Sequence, residues 1–388
     1  MQKIVKNIIE HQNNNNIAIT STSHPPLYYN ELKLLINKIS SQLAANDISN
    51  KDRAAIVLPN GPHMATSFLA ISSYMSAAPL NPNYKAEEFE FYLGDLKPKI
   101  LIVEPNSKNP AVEVAKKLKI PVCEIKTKEN TPSGMFDLFK NTKNFELPNE
   151  EDESLVLHTS GTTSRPKIVP LSNKNIFSSS ENISSSLNLD ENDHCLNIMP
   201  LFHIHGLIAV LASSMRVGAS VCASSGFNAL KFLDLAKSEK ITWYSGVPTM
   251  HQAILMRADK NLEIAKNLKL RFLRSSSASL PPAVFEKLNK TFECPVIEAY
   301  GMTEATHQMT SNPLPPKKQK PGFVGIPAGP DVCIMDEKGK QLEKGLEGEV
   351  CIKGLNVTLG YENNPEANKS SFVNGWFRTG DQGYFDDD

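Results

Sequence analysis

No CxxC pair occurs in this 388-residue sequence. Its six cysteines stand singly at 123, 195, 222, 294, 333 and 351, with no spacing that suggests a disulfide framework. The pattern argues against disulfide-stapled scaffolds and cysteine-rich zinc modules, and it predicts reduced thiols in a cytoplasmic setting. An excess of charge is missing as well. Forty-one Lys and Arg against 42 Asp and Glu leave a formal charge of −1, so no basic surplus calls for nucleic acid or an anionic membrane surface. Long apolar runs are absent. The most apolar one, GLIAVLASSMRVGASVC, is broken by Arg216 and is too short between charges to span a bilayer. The opening MQKIVKNIIEHQNNNN has no apolar core and no small-residue cleavage site, which argues against a signal peptide.

Apolar residues make up 40% and charged residues 21%, the balance of an ordinary globular protein, and the length exceeds what one compact core organises. Strand-like and helix-like stretches alternate. LYYNELKLLINKISSQLAANDI carries apolar residues at helical spacing. AAIVLP and KILIVEP read as short buried strands, and HMATSFLAISSYMSAAPL between them reads as a helix with small residues for close packing. The alternation repeats further on. HCLNIMP, ITWYSGVP and VIEAYG read as strands, and FNALKFLDLAKSEK and SLPPAVFEKLNKTF as helices, the latter with prolines in its first turn. This predicts an α/β fold with mostly parallel sheets covered by helices. NPLPPKKQKPG reads as a linker, and VCIMD, GEVCIKG and VTLGYE after it read as strands of a small β-rich unit. The expected subdivision is 1–180 and 181–312, both α/β, and 313–388, β-rich and barrel-like.

The chemistry-bearing stretch is HTSGTTSRPKI, residues 158–168, with five hydroxyl side chains in six positions, one glycine and one lysine. It is not the P-loop of nucleoside triphosphatases. That motif needs Gly before the lysine and Ser or Thr after it, whereas Pro166 and Ile168 flank Lys167. What remains is a hydroxyl-rich loop able to wrap phosphate oxygens with backbone N–H groups, hydroxyls and one ammonium. On composition alone, a Ser/Thr-rich surface loop accounts for it equally well.

Four further stretches follow in order: MPLFHIHGL (199–207), RSSSASLPP (274–282), EAYGMTEATHQ (298–308) and GWFRTGDQGYF (375–385). With these five motifs the whole chain resembles the adenylate-forming enzymes, which include acyl-CoA synthetases, luciferases and peptide-synthetase adenylation domains. HTSGTTSRPKIVPL, MPLFHIHGL and MTEATHQMTSNPLPP are similar to the oxalate–CoA ligase group within it. The resemblance implies a two-step reaction. A carboxylate attacks the α-phosphorus of ATP to give an acyl-adenylate and pyrophosphate, and the thiol of coenzyme A then displaces AMP.

It also implies roles. Thr159, Ser160, Gly161, Thr162, Thr163 and Lys167 would hold the β- and γ-phosphates. Glu304, with Thr163, would bind Mg²⁺, a hard cation that favours oxygen ligands. Thr303 would bond the α-phosphate. Tyr300 and Gly301 on one side and Ser277, Ala278 and Ser279 on the other would enclose adenine. Asp381 would accept both ribose hydroxyls, as a group with acceptor sites only can. His203 would close over the reacting carboxylate. His203 and His205 flank Ile204 and would share one face of an extended segment. With His307 they are the candidates for contacts to the acid, because oxalate keeps a second carboxylate that must be paired when buried. Seen alone, Tyr300 reads as a core aromatic, Glu304 as a solvated side chain and His307 as a structural histidine.

A synthetase for a medium-chain or aryl acid remains open, favoured by an apolar pocket without a cationic partner. So does a catalytically silent nucleotide-binding module. The chain ends at GYFDDD, before the hinge and the lysine-bearing C-terminal domain that the resemblance implies. The expectation is therefore that this chain binds nucleotide yet forms little acyl-CoA by itself. The oligomeric state is not legible.

Overall fold

The computed structural model of the protein describes residues 2–159 and 166–388. Three sheets organise it. The first has six strands in the spatial order Val122–Glu124, Ile100–Val103, Arg53–Val57, Ser76–Pro79, Glu153–His158 and Ile168–Ser172. All pair in parallel except the last, which forms a hairpin with Glu153–His158. Arg53–Val57, Ser76–Pro79 and Ile100–Val103 are buried almost throughout, as parallel strands covered on both faces must be.

The second sheet has nine strands. Its interior runs Val296–Met302, Phe272–Ser275, Trp243–Gly246, His194–Asn197, Ser220–Ala223 and Ile17–Thr20, all parallel. Antiparallel edges are supplied by Leu27–Tyr28 at one side and by His307–Ser311 with Ile326–Pro327 at the other. The third is a four-stranded antiparallel sheet of Asp331–Met335, Gly348–Lys353, Trp376–Gly383 and Phe372–Val373. This is the expected α/β class with a β-rich unit at 331–383.

The helix Pro62–Ser72 is buried from Met64 through Ser72 and packs against both the first sheet and the segment His205–Ala212. A helix of apolar and small hydroxyl residues buried on every side has no solvent face to present, so it sits between layers. His205–Ala212 is a π-helix, and it too is buried along its whole length.

Three readings need correction. The helix expected over 63–80 stops at Ser72, and Ser76–Pro79 is a strand. Small residues favour close packing in either state, so their run hid the boundary. The stretch VTLGYE forms no strand; its side chains and backbone tie other elements together instead. The N-terminal strands at 17–28 join the second sheet, so the boundary expected near 180 does not separate the two sheets by sequence. Within the proline- and lysine-rich linker, the Asn312 side chain donates to the Phe323 carbonyl at 2.6 Å and accepts from the Lys320 N–H at 2.8 Å. All six cysteines are free, and no described helix is long and apolar enough to cross a membrane.

Candidate active site

The hydroxyl-rich loop closes the hairpin between Glu153–His158 and Ile168–Ser172. In a P-loop a helix follows the glycines; here a strand follows, in agreement with the motif's departure from that pattern. At the loop's base, the Thr159 N–H donates to the Lys167 carbonyl at 3.0 Å. The Lys167 N–H returns to Thr159 Oγ1 at 3.2 Å. These bonds bring Thr159 and Lys167 together across the loop's mouth. Ser160, Gly161, Thr162 and Thr163 lie outside the described residues.

Next to the β-rich sheet opens a cavity of about 560 Å³. Ser277, Ala278, Ser279, Tyr300, Gly301 and Asp381 all line it, so every residue expected around the nucleoside converges there. Three elements bring them together: the loop after Phe272–Ser275, the end of Val296–Met302, and the strand Trp376–Gly383 of the third sheet. The Tyr300 hydroxyl donates to Asp381 Oδ2. Burial, joined by the Asp381 carboxylate, pushes the Tyr300 phenol well above its ordinary value, so it stays a neutral donor. Glu298, not singled out in the sequence, lies in the same cavity wall. Burial raises its carboxyl to about 7 against one N–H bond from Gly322 at 3.1 Å. A carboxylate inside the apolar strand VIEAYG was the available signal.

Gly301 has a second, steric reason to be glycine. A Cβ there would come within 1.9 Å of the His307 carbonyl oxygen. The strands Val296–Met302 and His307–Ser311 turn back on each other through Thr303–Ala305, with Met302 opposite His307. His307 itself holds φ at 92°, a left-handed conformation unusual for a residue with a side chain. Ser277, at φ 70°, is held similarly. Such strain costs of order 1–3 kcal/mol and persists only where the surroundings enforce it, which is common at functional sites.

Thr303 and Glu304 form the turn itself. Glu304 is 6% exposed, and its Oε1 accepts from the Tyr361 hydroxyl at 2.7 Å. Thr303 and His203 share a cavity of about 50 Å³ with Tyr84, Tyr92 and His158.

The two histidines of MPLFHIHGL do not share a face. The chain turns through 200–203 and enters the π-helix at His205. His203 is left exposed and His205 fully buried. The proline and glycine on either side of the motif favour this turn over an extended run. His203 Nδ1 accepts from the His205 N–H at 3.3 Å, which leaves Nε2 as the donor of a neutral ring. His205 is bonded at both nitrogens, to Ser277 Oγ at 3.0 Å and Ser245 Oγ at 2.6 Å. Its ring centroid lies 4.9 Å from that of His307.

Behind this pair sits Arg274, which the sequence reading passed over although it opens the motif RSSSASLPP. It is 0% exposed and donates to Gln308 Oε1 at 3.0 Å and, less closely, to Ser245 Oγ at 3.4 Å. Among the described residues no carboxylate pairs with it, and its Nε has no partner. Burial pulls its pKa down to about 9. His307, 1% exposed, has no partner at either ring nitrogen. Burial first, and the Arg274 charge second, hold the His205 and His307 rings well below the usual histidine range, so both are neutral. The result is a buried cluster in which Arg274 Nε and both His307 ring nitrogens have no partner, and no carboxylate among the described residues offsets the Arg274 charge.

Residues 9–362 match the family described as AMP-binding enzyme. The chain belongs to the AMP-binding enzymes. An oxalate–CoA ligase of Arabidopsis thaliana is 45% identical over 372 residues, covering 91% of this chain and 71% of that protein. An oxalate–CoA ligase of Saccharomyces cerevisiae is 42% identical over 368 residues, covering 87% of this chain and 67% of that one. The crystal structure of ATP-bound MatB from Rhodopseudomonas palustris superposes with a TM-score of 0.89 at 27% identity, over 100% of this chain and 77% of the other. Like the CoA ligases among its relatives, this AMP-binding enzyme is an ATP-dependent acid–thiol ligase.

Proposed function

We propose that the acid is oxalate, activated with ATP and Mg²⁺ and passed to coenzyme A. The observation that carries this is the buried Arg274, which no carboxylate among the described residues neutralises, beside the unpartnered His307. A buried cation without a counter-ion costs several kcal/mol unless something neutralises it. A small dicarboxylate supplies the missing charge: one carboxylate reacts, and the other accepts from the Arg274 Nε–H and a His307 N–H. The medium-chain or aryl reading called for a pocket without a cationic partner, and Arg274 is such a partner. The names of the relatives in Arabidopsis thaliana and Saccharomyces cerevisiae point the same way.

The nucleotide reading follows the cavity. Adenine lies between Tyr300 and the small residues 277–279, since a flat aromatic face accepts any base and small side chains let the ring approach the backbone. Asp381 accepts the ribose hydroxyls, Thr303 bonds the α-phosphate, and Thr159 and Lys167 flank the outer phosphates. His203, with Nε2 as its donor, stands on the cavity that it shares with Thr303 and orients the reacting carboxylate. Mg²⁺ fits the donor set, because it keeps most of its waters and takes one or two carboxylates beside substrate phosphates, and Glu304 supplies one. When bound it would neutralise charge on the phosphate oxygens.

The acid is tested by pyrophosphate release from the intact enzyme with oxalate, malonate, octanoate and coumarate. Oxalate is expected to give the highest kcat/KM; preference for octanoate or coumarate would overturn the reading. His307→Ala should reduce kcat/KM for oxalate by roughly 10–150-fold, the equivalent of about 1.5–3 kcal/mol for a hydrogen bond to a charged group. Acetate, with no second carboxylate, should lose much less. An equal fractional loss for both acids would remove His307 from selectivity. Asp381→Ala should weaken AMP binding in calorimetric titration by a similar factor without lowering the unfolding temperature. Unchanged affinity would leave the TGD sequence as a turn only.

A further inference from the structure

The stretch VTLGYE, residues 357–362, expected to be a strand, is instead a strap across the two halves of the site. The Thr358 N–H donates to the Glu304 carbonyl at 2.7 Å, and Thr358 Oγ1 donates to the Pro170 carbonyl at 2.9 Å. The Glu362 N–H donates to the Ile168 carbonyl at 3.1 Å. The Glu362 carboxylate is gripped by Arg53, whose Nη1 reaches Oε1 at 3.3 Å, while Arg53 also holds Glu153 through two bonds of 2.6 Å. One short stretch therefore bonds to the strand that leaves the phosphate loop and to the turn that carries Glu304, and through Arg53 it is linked to Glu153 at the start of the strand that enters the loop.

Tyr361 sits at the centre of this strap, 7% exposed. Its hydroxyl donates to Glu304 Oε1 at 2.7 Å, and the Lys167 ammonium lies 4.5 Å from the centroid of its ring. Burial, together with the Glu304 carboxylate, pushes the phenol well above its ordinary value, so it remains a donor at any working pH. One side chain thus holds an acid by its edge and a cation by its face.

We infer that Tyr361 is a positioning residue that sets the Glu304 carboxylate and the Lys167 ammonium in register for magnesium and the triphosphate. The inference rests on the reading of Glu304 as the magnesium acid and Lys167 as a phosphate-binding group. A hydrogen bond to one carboxylate oxygen fixes the rotamer of Glu304 and leaves the other oxygen to turn toward the metal. Partners of this kind behind a metal ligand are typically worth about 10–100-fold in metal affinity. The ring face keeps Lys167 from folding back onto Glu304, where a direct ion pair would cancel both charges.

The test is calorimetric ATP binding to the intact enzyme over a series of Mg²⁺ concentrations and in excess chelator, for the wild type, Tyr361→Phe, Tyr361→Leu and Glu304→Gln. Tyr361→Phe keeps the ring and loses the hydroxyl. It should raise the half-saturating Mg²⁺ concentration by about 10-fold or more, with metal-free ATP affinity unchanged. Tyr361→Leu should weaken metal-free ATP binding as well, because Lys167 loses its platform. Thermal unfolding of each variant separates misfolding from misplacement. If Glu304→Gln shifts the Mg²⁺ dependence and Tyr361→Phe does not, the inference is overturned and the metal reading stands. If neither shifts it, Glu304 is not the metal acid and both fail together.

Discussion

Arg274→Met is expected to remove most of the oxalate reaction while raising the temperature at which the protein unfolds. The two effects have one cause. A guanidinium whose pKa is drawn from its ordinary value to about 9 by burial still carries its proton at neutral pH, and keeping it there costs several kcal/mol of folding free energy. The sign follows from the direction of the shift. The charged form is the one disfavoured by folding, so the cost is fully present below about pH 9 and fades as the pH rises toward the ordinary arginine range.

Methionine of similar length removes that cost, although it leaves Gln308 and Ser245 each without one partner, a loss of about 1–3 kcal/mol for a buried group. The balance should show as a rise in Tm of a few degrees in the absence of acid. The same substitution takes away the charge that neutralises the second carboxylate. Losing one partner of a buried charge pair costs about 2–5 kcal/mol, so kcat/KM for oxalate should fall by roughly 10²–10³-fold, and for acetate far less. Calorimetric unfolding and kinetics with the two acids measure both halves. A lower Tm with equal losses for oxalate and acetate would make Arg274 a structural residue and remove the main support for a dicarboxylate.

Glu304→Gln should slow pyrophosphate release by about 10²–10³-fold at saturating ATP, the usual consequence of losing one preorganised contribution where charge develops. The substitution is close to isosteric, and the amide oxygen can still accept from Tyr361, so the turn should survive. What disappears is the negative charge that a hard cation requires. The defect should fall on kcat more than on folding, and circular dichroism should be unchanged. A rate within a few-fold of the wild type would show that the acid of the TEA turn does not serve the metal.

The β-rich unit and the nucleoside cavity show how much was readable beforehand. Tyr300, Ser277, Ala278, Ser279, Gly301 and Asp381 come from motifs separated by up to 104 positions, and they line one cavity. Their grouping rested on the family resemblance that the five ordered motifs carry. Arg274, Glu298 and Tyr361 were missed because each looked unremarkable where it stood. Arg274 precedes a serine run that drew attention to itself, Glu298 reads as one polar residue in a strand, and Tyr361 lay in a stretch read as strand. Only burial separates a solvated arginine from an unpaired one, and burial depends on what the rest of the chain places around it.

The α/β alternation, the five ordered motifs and the absence of a P-loop lysine environment were determined by the sequence itself, since periodicity and turn chemistry act over a few residues. The facing of the two histidines at 203 and 205 was not, because a π-helix beginning at His205 turned one outward and buried the other. Gly301 could be read as a loop residue, yet its need for a bare Cα arises from the carbonyl of His307, six positions on, brought back against it by the Thr303–Ala305 turn. The unpaired charge of Arg274 and the bridge from Tyr361 to Glu304 and Lys167 exist only in three dimensions. Hydrogen bonding, desolvation and cation–aromatic contact are set by distances of a few ångströms between residues that the chain keeps far apart.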